Sequence, residues 1–270
     1  MAGAVFKVDD GTEEAGSPAP ARLRLRLRTA SFWPRLLDLV LPPGCMACGK
    51  PVATGGALCS PCWSAIRWIE RPFCERLAIP FGYDIGAGAL SAEAIAHPPP
   101  FGRLRAVCTY GEVAGAVVQA LKYNDRTDLA TPVGVMMARA LGPVADEVDV
   151  VIPVPLHRGR LWQRRFNQSA LIAEALAGAI GRPFEPGLLA RIRATPRQVG
   201  LKATERAKNV AGAFHVAPGQ AVALKGRRVL LVDDVYTTGA TVKAATRALM
   251  RGGAAAVEVA VFARVVEGLA

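Results

Sequence analysis

The sequence predicts an α/β protein built on an open parallel sheet, with a small cysteine-rich lobe in front of it. From about residue 102 onward, apolar strand segments alternate with helical segments, which is typical of a parallel sheet. The segment 229–232 is continuously apolar, as a central strand covered on both faces should be. Ahead of these segments stand two C-x2-C pairs, which are typical of a metal-binding lobe.

Composition narrows the class of protein. The chain has 270 residues, 51% of them hydrophobic and 20% charged, so it can bury a sizeable core in about one or two domains. No run of about 18 uncharged apolar residues is present, and we expect no membrane insertion. Charged residues fill the N-terminal stretch where a secretory signal needs an apolar core. These residues are Lys7, Asp9, Asp10, Glu13 and Glu14. We therefore expect a cytoplasmic protein, whose thiols stay reduced and suit a metal better than disulfides.

The N-terminal region is predicted to lack a core of its own. Residues 1–30 mix Gly, Ala, Pro and charge without a sustained apolar period, which favours a disordered basic tail. The alternating Arg and Leu of 22–28 suit either a solvated tail or a nucleic-acid arm. Residues 32–41 are predicted to form a short amphipathic helix that ends before Pro42.

The two C-x2-C pairs predict one structural zinc in a lobe that spans residues 31–72. Ten residues separate the pairs, and four thiolates at this spacing can surround one tetrahedral Zn²⁺. The ligands are Cys45, Cys48, Cys59 and Cys62. Gly49 permits the tight knuckle of such a site. The alternative, four unrelated thiols, leaves the spacing unexplained.

Residues 73–101 are rich in Gly, Ala and Pro and are predicted to connect the zinc lobe to a domain at 102–270. No internal repeat is evident. Cys74 has no partner at ligand spacing, and Cys108 lies in an apolar segment that favours a small buried side chain.

Four strands and four helices are predicted after residue 102. The strands are expected at 104–110, 148–153, 228–232 and 255–263. The helices are expected at 112–122, 129–141, 167–180 and 241–251.

A candidate ligand site follows the strand 228–232. Asp233 and Asp234 stand at its carboxyl end, where open α/β sheets bind their ligands. A loop of small residues then opens a helix, where N–H groups and the helix dipole favour a phosphate. Its members are Thr237, Thr238, Gly239, Ala240 and Thr241. Because carboxylates repel a phosphate, their expected partners are ribose hydroxyls or hydrated Mg²⁺. Alternatively, the two acids merely end a strand and cap a helix.

A basic segment, 157–168, is expected to reach the same site as a loop followed by a helix. Its arginines can neutralise a pyrophosphate. They are Arg158, Arg160, Arg164 and Arg165. Asn167 can cap the following helix and donate to a ligand. His157 alone is more consistent with a solvated surface residue than with a catalytic one.

Residues 193–214 are too polar for a core and are predicted to form a mobile cover over the site. A solvated polar helix at 204–210 is compatible with this role. Between 157 and 208 the chain has eleven Arg or Lys and three acids, a field that suits either a polyphosphate or a nucleic-acid backbone. Trp162 and Phe166 are the aromatics nearby; burial in the core is somewhat favoured over stacking on bases.

The acidic pair and its loop resemble the 5-phosphoribosyl-1-pyrophosphate (PRPP) motif of the type I phosphoribosyltransferases. In that family the two acids hold the ribose hydroxyls and the loop holds the 5′-phosphate. The resemblance implies these roles for Asp233, Asp234 and residues 237–241. Purine-salvage members carry an aspartate base where this chain has Thr237, so the loop is closer to the orotate type.

Taken in order, the motifs resemble the ComF family from about residue 36 to the end. They are the C-x2-C pairs, Pro-Val-Pro-Leu-His-Arg, Gln-Val-Gly-Leu and the Asp-Asp loop. This family combines a type I phosphoribosyltransferase-like parallel sheet with an N-terminal double zinc ribbon, and is associated with DNA uptake. Leu77 stands where the second ribbon would have a thiol, so one zinc and a degenerate, metal-free second ribbon within 73–101 are expected.

The resemblance leaves two classes of function open. The first is an enzyme that binds Mg²⁺ and PRPP and displaces pyrophosphate from the ribose. The second is a non-catalytic protein that senses PRPP or a nucleotide, or binds single-stranded DNA or the DNA-uptake machinery.

Overall fold

The structure, a computed structural model, describes residues 42–123, 126–194 and 209–266. The predicted tail 1–30, the predicted helix 32–41 and most of the predicted cover 193–214 lie outside the described residues. Among the described residues, no helix is long and apolar enough to cross a membrane.

Six strands are present in the part of the chain that the structure describes, and four of them form one parallel sheet. They are β1 (Leu104–Thr109), β2 (Val150–Pro153), β3 (Ala190–Arg191), β4 (Phe214–His215), β5 (Arg228–Tyr236) and β6 (Ala256–Arg264). The sheet has the order β1-β6-β5-β2 with every neighbouring pair parallel, and β3 and β4 form a separate antiparallel pair. The predicted parallel sheet and its four strands are confirmed.

Nine α-helices are found in the described residues, besides a short 3-10 helix at Thr127–Leu129. They are α1 (Ser60–Ala65), α2 (Ala92–Ala96), α3 (Glu112–Tyr123), α4 (Ala130–Leu141), α5 (Val144–Glu147), α6 (Arg158–Arg164), α7 (Gln168–Ile180), α8 (Pro218–Leu224) and α9 (Ala240–Arg251). The four predicted helices correspond to α3, α4, α7 and α9. The loop predicted after His157 is wrong, because α6 forms there. The ring nitrogen Nδ1 of His157 accepts a hydrogen bond from the Gly159 N–H and caps this helix.

Strand β5 extends beyond the predicted end at Val232. It pairs with β6 as far as Tyr236, opposite Arg264, whereas its pairing with β2 stops at Val232 opposite Pro153. The acidic pair, Asp233 and Asp234, therefore lies within a strand that has lost one neighbour. The sheet is open on that side of the pair.

Apolar side chains cover both faces of the sheet. One core contains Leu231 and Val259 and packs against α9, and the other contains Leu230 and Ala260 and packs against α3, α4 and α7. Successive residues of a strand point to opposite faces, so a continuously apolar β5 serves both cores. Isolated bridges from Trp68 and Phe184 cover the two edge strands, β1 and β2.

The first ribbon, residues 43–66, is a knuckle followed by the helix α1. The Gly49 N–H donates to the Cys45 carbonyl (3.0 Å), and the Cys45 N–H donates to the Lys50 carbonyl (2.8 Å). Gly49 has φ +74°, the left-handed conformation that such a turn requires. Cys59 precedes α1 and its N–H donates to the Cys45 sulfur (3.3 Å).

The second ribbon, residues 72–96, repeats this hydrogen-bond pattern. The Ala78 N–H donates to the Cys74 carbonyl and the Cys74 N–H donates to the Ile79 carbonyl, both at 2.8 Å. Ser91 caps α2, and its N–H donates to the Cys74 sulfur (3.2 Å). The chain therefore has an internal repeat, which was not evident from the residues and which only the family resemblance implied. The sequence conceals it because the repeat is formed by backbone groups and few side chains are shared.

Candidate ligand cavity and metal centre

A cavity of about 550 Å³ opens at the carboxyl ends of β5 and β2. Its walls come from α3, α6, α7, the β3 strand and the start of α9. Six charged residues line it: Lys122, Arg160, Arg164, Arg191, Asp233 and Asp234. The predicted acidic pair thus shares one cavity with two of the four predicted arginines, Arg160 and Arg164.

The acidic pair is held by the first turn of α7 and the last turn of α3. Asp233 accepts a hydrogen bond from the Ser169 hydroxyl (2.9 Å). Asp234 accepts one from the Gln168 amide (3.2 Å) and forms an ion pair with Lys122 (2.9 Å). The N-terminus of α7 adds a favourable dipole for both carboxylates. These contacts fix both carboxylates at the cavity wall.

The environment of the pair makes ionisation costly. Burial and the neighbouring charge of Asp234 raise the pKa of Asp233 to about 7, although Lys122 and Ser169 act in the opposite direction. Burial opposes the positive charge of Lys122, but Asp234 outweighs burial and raises the Lys122 pKa. The Asp233 carboxyl is therefore only partly ionised near neutral pH. A cation or a hydroxyl donor that enters the cavity would stabilise its ionised form.

The loop 237–241 joins β5 to α9 beside the acidic pair. Thr237 and Thr241 line the cavity, and Gly239 has φ +73° at the start of the helix. The Thr238 Oγ1 is buried and has no hydrogen-bond partner among the described residues. A buried unpaired hydroxyl costs about 1–3 kcal/mol. Thr238 itself does not line the cavity, so Thr237 and Thr241 are the threonines of the loop that face it. The arrangement fits a phosphate group.

Helix α6 explains which arginines reach the cavity. Arg160 and Arg164 are four residues apart and share the helix face that lines it. Arg158 and Arg165 are exposed and do not line the cavity. Asn167 caps α7 through the Ser169 N–H (3.2 Å), as predicted, and its amide donates to the Val154 carbonyl (3.1 Å).

Several residues of the cavity were not identified from the sequence. Lys122, Gln168, Ser169 and Arg191 all line it. Lys122 is the single basic residue of a mostly apolar helix, which could have marked it. Arg191 packs over the Phe214 ring (5.4 Å to the centroid), and its burial and the nearby Arg160 lower its pKa. Its position depends on the β3–β4 pair, which the sequence did not predict.

Two predictions about individual side chains have opposite outcomes. Burial in the core was favoured for Trp162, and this is wrong, because its side chain is 90% exposed on α6. Cys108 is buried as predicted, and burial raises its pKa to about 12. Phe166 is half-buried.

The four predicted zinc ligands converge in the first ribbon. The sulfur atoms of Cys45, Cys48, Cys59 and Cys62 all lie within 4.8 Å of one another, and no other such group occurs in the described residues. Burial opposes ionisation of Cys45, but N–H groups of the knuckle outweigh it and lower its pKa to about 6. Burial and the neighbouring thiols raise the pKa of Cys62. Four crowded sulfurs of this kind suit a structural Zn²⁺, which would neutralise their charge.

Comparisons with known proteins agree with this arrangement. The double zinc ribbon domain family matches residues 36–95, and the phosphoribosyl transferase domain family matches residues 181–269. The DNA utilization protein YhgH of Salmonella typhi is 33% identical over 230 residues, which cover 82% of this chain and 96% of that protein.

Two further relatives carry competence names. Competence protein F of Haemophilus influenzae is 35% identical over 43% of this chain and 50% of that protein. Competence protein ComFC of Bacillus subtilis is 31% identical over 56% of this chain and 60% of that protein. The cysteine cluster, the parallel sheet and these matches together show that the chain belongs to the ComF family, with a zinc-ribbon lobe in front of a phosphoribosyltransferase-like domain.

Proposed function

We propose that the cavity binds PRPP together with Mg²⁺. The proposal rests on one observation: the acidic pair, Asp233 and Asp234, and the small-residue loop 237–241 line the same cavity of about 550 Å³. That volume lies within the usual range for small-molecule sites, about 300–1,000 Å³. The four cationic side chains around the cavity suit a ligand with several phosphates.

Each part of the cavity has a role in this proposal. Asp233 and Asp234 accept hydrogen bonds from the ribose hydroxyls or from water bound to Mg²⁺. The loop 237–241 holds the 5′-phosphate through its N–H groups and hydroxyls. Arg160 and Arg164 face the pyrophosphate, and Arg191 adds a third guanidinium. Bound Mg²⁺ would neutralise part of the pyrophosphate charge.

The proposed reaction is a displacement at the ribose. The bond between the ribose anomeric carbon and pyrophosphate breaks, a nucleophilic acceptor forms a new bond to that carbon, and the leaving electrons remain on pyrophosphate. The carboxylates stabilise the positive charge that develops on the sugar, and the arginines stabilise the leaving group. Measuring pyrophosphate release from PRPP with candidate bases, amines and oligonucleotides tests whether the protein is an enzyme. If none of these acceptors supports pyrophosphate release, the result favours a protein that senses PRPP without catalysis.

Calorimetric titration with Mg²⁺–PRPP tests the binding site. The double variant Asp233→Asn with Asp234→Asn should bind well over tenfold more weakly, since hydrogen bonds to charged groups contribute about 1.5–3 kcal/mol each. Asp128→Asn is the matched control, because Asp128 is an exposed carboxylate paired with Arg126 outside the cavity. Equal affinity of the double variant and the wild type would refute the site.

The raised pKa of Asp233 makes the binding depend on pH. Its ionised form accepts hydrogen bonds from the ribose hydroxyls or from water bound to Mg²⁺, so affinity should fall as the pH drops below about 7. PRPP phosphates also titrate near pH ~6, and Asp233→Asn separates the two effects because it keeps only the contribution of the ligand. Identical pH profiles for the wild type and Asp233→Asn would contradict the role of this carboxylate.

A role in DNA uptake is part of the proposal, and the names of the relatives support it. Two of them are competence proteins and one is a DNA utilization protein. A second candidate function, binding of single-stranded DNA, is favoured by the exposed Trp162 on a helix that also carries the exposed Arg158. Aromatic rings beside cations bind single strands by base stacking and phosphate contacts.

Fluorescence anisotropy with a labelled oligonucleotide at several salt concentrations tests this second function. The comparison uses the wild type, Trp162→Ala with Arg158→Ala, and a truncation that starts at Ser31. If the protein binds the phosphates of the strand, its affinity for the oligonucleotide should fall steeply as the salt concentration rises. The affinity should also be lower in at least one of the two variants. Binding that is independent of salt, or equal in all three proteins, would exclude this mode of DNA binding.

A further inference from the structure

Tyr236 and Arg264 lie beneath the loop 237–241 without lining the cavity. The Tyr236 ring packs directly on Gly239, since a Cβ at Gly239 would lie 2.2 Å from the Tyr236 hydroxyl. Gly239 also has φ +73°, a conformation that disfavours other residues. The turn of the loop therefore depends on the missing side chain and on the ring that fills its place.

The Tyr236 ring acts by its shape. Its hydroxyl is buried and has no hydrogen-bond partner among the described residues. Burial raises the Tyr236 pKa to about 12, so the phenol stays neutral. The ring also contacts Phe101 edge-on, with centroids 6.2 Å apart. A large, neutral and enclosed ring is a rigid support for the loop.

Arg264 holds the ring from the neighbouring strand and is itself held by the second ribbon. It stands opposite Tyr236 in the β5–β6 register, with its guanidinium 5.3 Å from the ring centroid. It donates to the Leu77 carbonyl and lies 3.9 Å from the Glu93 carboxylate. Leu77 belongs to the knuckle of the second ribbon and Glu93 belongs to α2. Both acceptors thus come from the lobe that lacks a complete set of thiols.

We propose that the second ribbon positions the loop 237–241 for its anionic ligand through Arg264 and Tyr236. The inference rests on the proposed function, because it takes this loop as the phosphate-binding element. Such a loop binds tightly when its N–H groups are arranged before the ligand arrives. The second ribbon fixes Arg264, Arg264 fixes the Tyr236 ring, and the ring fixes the loop at Gly239. Arg264 and Tyr236 are positioning residues. This role needs the fold of the second ribbon and the Glu93 side chain, and it needs no metal.

Titration of the full-length protein with ribose 5-phosphate and with Mg²⁺–PRPP tests the inference. Arg264→Met should weaken ribose 5-phosphate binding about tenfold or more, since a loop that is no longer arranged before the ligand arrives must be ordered on binding. Arg105→Met is the matched control. Arg105 is also a buried arginine that donates to a second-ribbon carbonyl, that of Glu75 (2.8 Å), and its guanidinium also packs over a ring, that of Phe73 (5.2 Å).

Conservative variants separate positioning from general stability. Tyr236→Phe keeps the ring and should retain affinity within about threefold, whereas Tyr236→Leu should weaken binding about tenfold or more. Thermal unfolding is recorded for every variant. Arg105→Met and Arg264→Met should both lower the midpoint, and only Arg264→Met should weaken ribose 5-phosphate binding. A merely structural role would make loss of affinity follow loss of stability in both.

The outcomes distinguish this inference from the proposed function. If the wild type binds neither ligand, the proposed function fails. If the wild type binds both and the variants Arg264→Met and Tyr236→Leu bind equally well, only the inference fails. If Arg264→Met does not fold, Glu93→Gln decides, because Glu93 is half exposed and its loss should weaken binding about two- to threefold. Unchanged affinity in Glu93→Gln would then overturn the inference.

Discussion

The backbone hydrogen bonds around Cys45 in the first ribbon recur around Cys74 in the second, but the side chains at the four ligand positions differ. The equivalent hydrogen bonds match Cys48 with Leu77, and the caps of α1 and α2 match Cys59 with Ser91. The same spacing matches Cys62 with Ala94. At the four ligand positions the first ribbon therefore has four thiols, whereas the second has one thiol, a leucine, a serine and an alanine.

The two ribbons also differ in how deeply the residues at these four positions are buried. In the first ribbon only Cys45 of the four ligands is buried, and the lobe adds Met46 and Ile66 to one core. In the second ribbon Cys74, Leu77 and Ala94 are all buried, and they join the other core of the domain. A metal can hold a small lobe that cannot bury enough apolar surface, and a lobe that packs into the domain needs none. The same knuckle is thus stabilised in two physically different ways.

The largest effect is expected when a zinc ligand of the first ribbon is replaced. The purified protein should contain one zinc per chain, and Cys45→Ser or Cys62→Ser should abolish it, because structural zinc supplies roughly 10–16 kcal/mol to such a lobe. Cys74→Ser is the matched control and should retain the zinc. Elemental analysis measures both. Two zinc atoms per chain in the wild type would contradict the conclusion that the second ribbon needs no metal.

A second zinc should become possible when the second ribbon regains its thiols. The triple variant Leu77→Cys, Ser91→Cys and Ala94→Cys completes two C-x2-C pairs with Cys74 on a backbone that already has the knuckle and the capped helix. We expect two zinc atoms per chain. The double variant Ser91→Cys with Ala94→Cys lacks one ligand and should retain only the original zinc. A triple variant with one zinc would show that the two backbones are not equivalent.

The sequence predicted those parts of the fold and site that depend on local signals. The apolar run of β5, the acidic pair and the glycine of the following loop are contiguous, so they could be recognised together. The thiols of the first ribbon could be recognised by spacing. Lys122 and Arg191 reach the cavity from distant segments, and their roles depend on tertiary packing. The helix α6 was missed because its Gly159 and its arginines give no apolar period.

The second ribbon shows why a repeat can be implied by a family resemblance and still not be evident from its own residues. Its knuckle is formed by backbone groups, and Ala78 adopts φ +50° where the first ribbon has Gly49. A left-handed alanine costs roughly 1–2 kcal/mol, so glycine is the usual signal for such a turn. Burial of Leu77 and Ala78 offsets this cost. The second ribbon lacks this glycine and three of the four thiols, and these are the residues by which a ribbon is identified in a sequence.

Leu77 should be the most sensitive position of the second ribbon. Leu77→Ala leaves a cavity in a fully buried site and should lower the free energy of unfolding by about 2–5 kcal/mol. Cys48 holds the equivalent position in the first ribbon but is exposed. In zinc-depleted protein, Cys48→Ala should therefore change stability by less than about 1 kcal/mol. Urea denaturation of both variants provides the measurement. Equal effects would argue against an apolar centre in the second ribbon.

The smallest effect concerns an ion pair that only the second ribbon has. Glu75 corresponds to Met46 of the first ribbon, and its carboxylate binds Arg105 and Arg71. Its side chain is 20% exposed and that of Arg105 is 7% exposed. Burial opposes ionisation of Glu75, but the two arginines outweigh it and lower its pKa below the ordinary value of 4.5.

This shift fixes the sign of a pH test. Because the folded-state pKa of Glu75 is lowered, the ion pair stabilises the protein above pH 4.5 and its contribution is lost as the pH falls through the folded-state value. Glu75→Gln should lower the free energy of unfolding by about 1–3 kcal/mol at neutral pH, and the difference from the wild type should shrink in acid. Urea unfolding at several pH values measures it, with the exposed Glu70→Gln as control. Acid also releases zinc from the first ribbon, but this affects the wild type and the variant alike and cancels in the difference. A difference that stays constant in acid would show that Glu75 contributes by packing, as Met46 does, and would remove this contrast between the two ribbons.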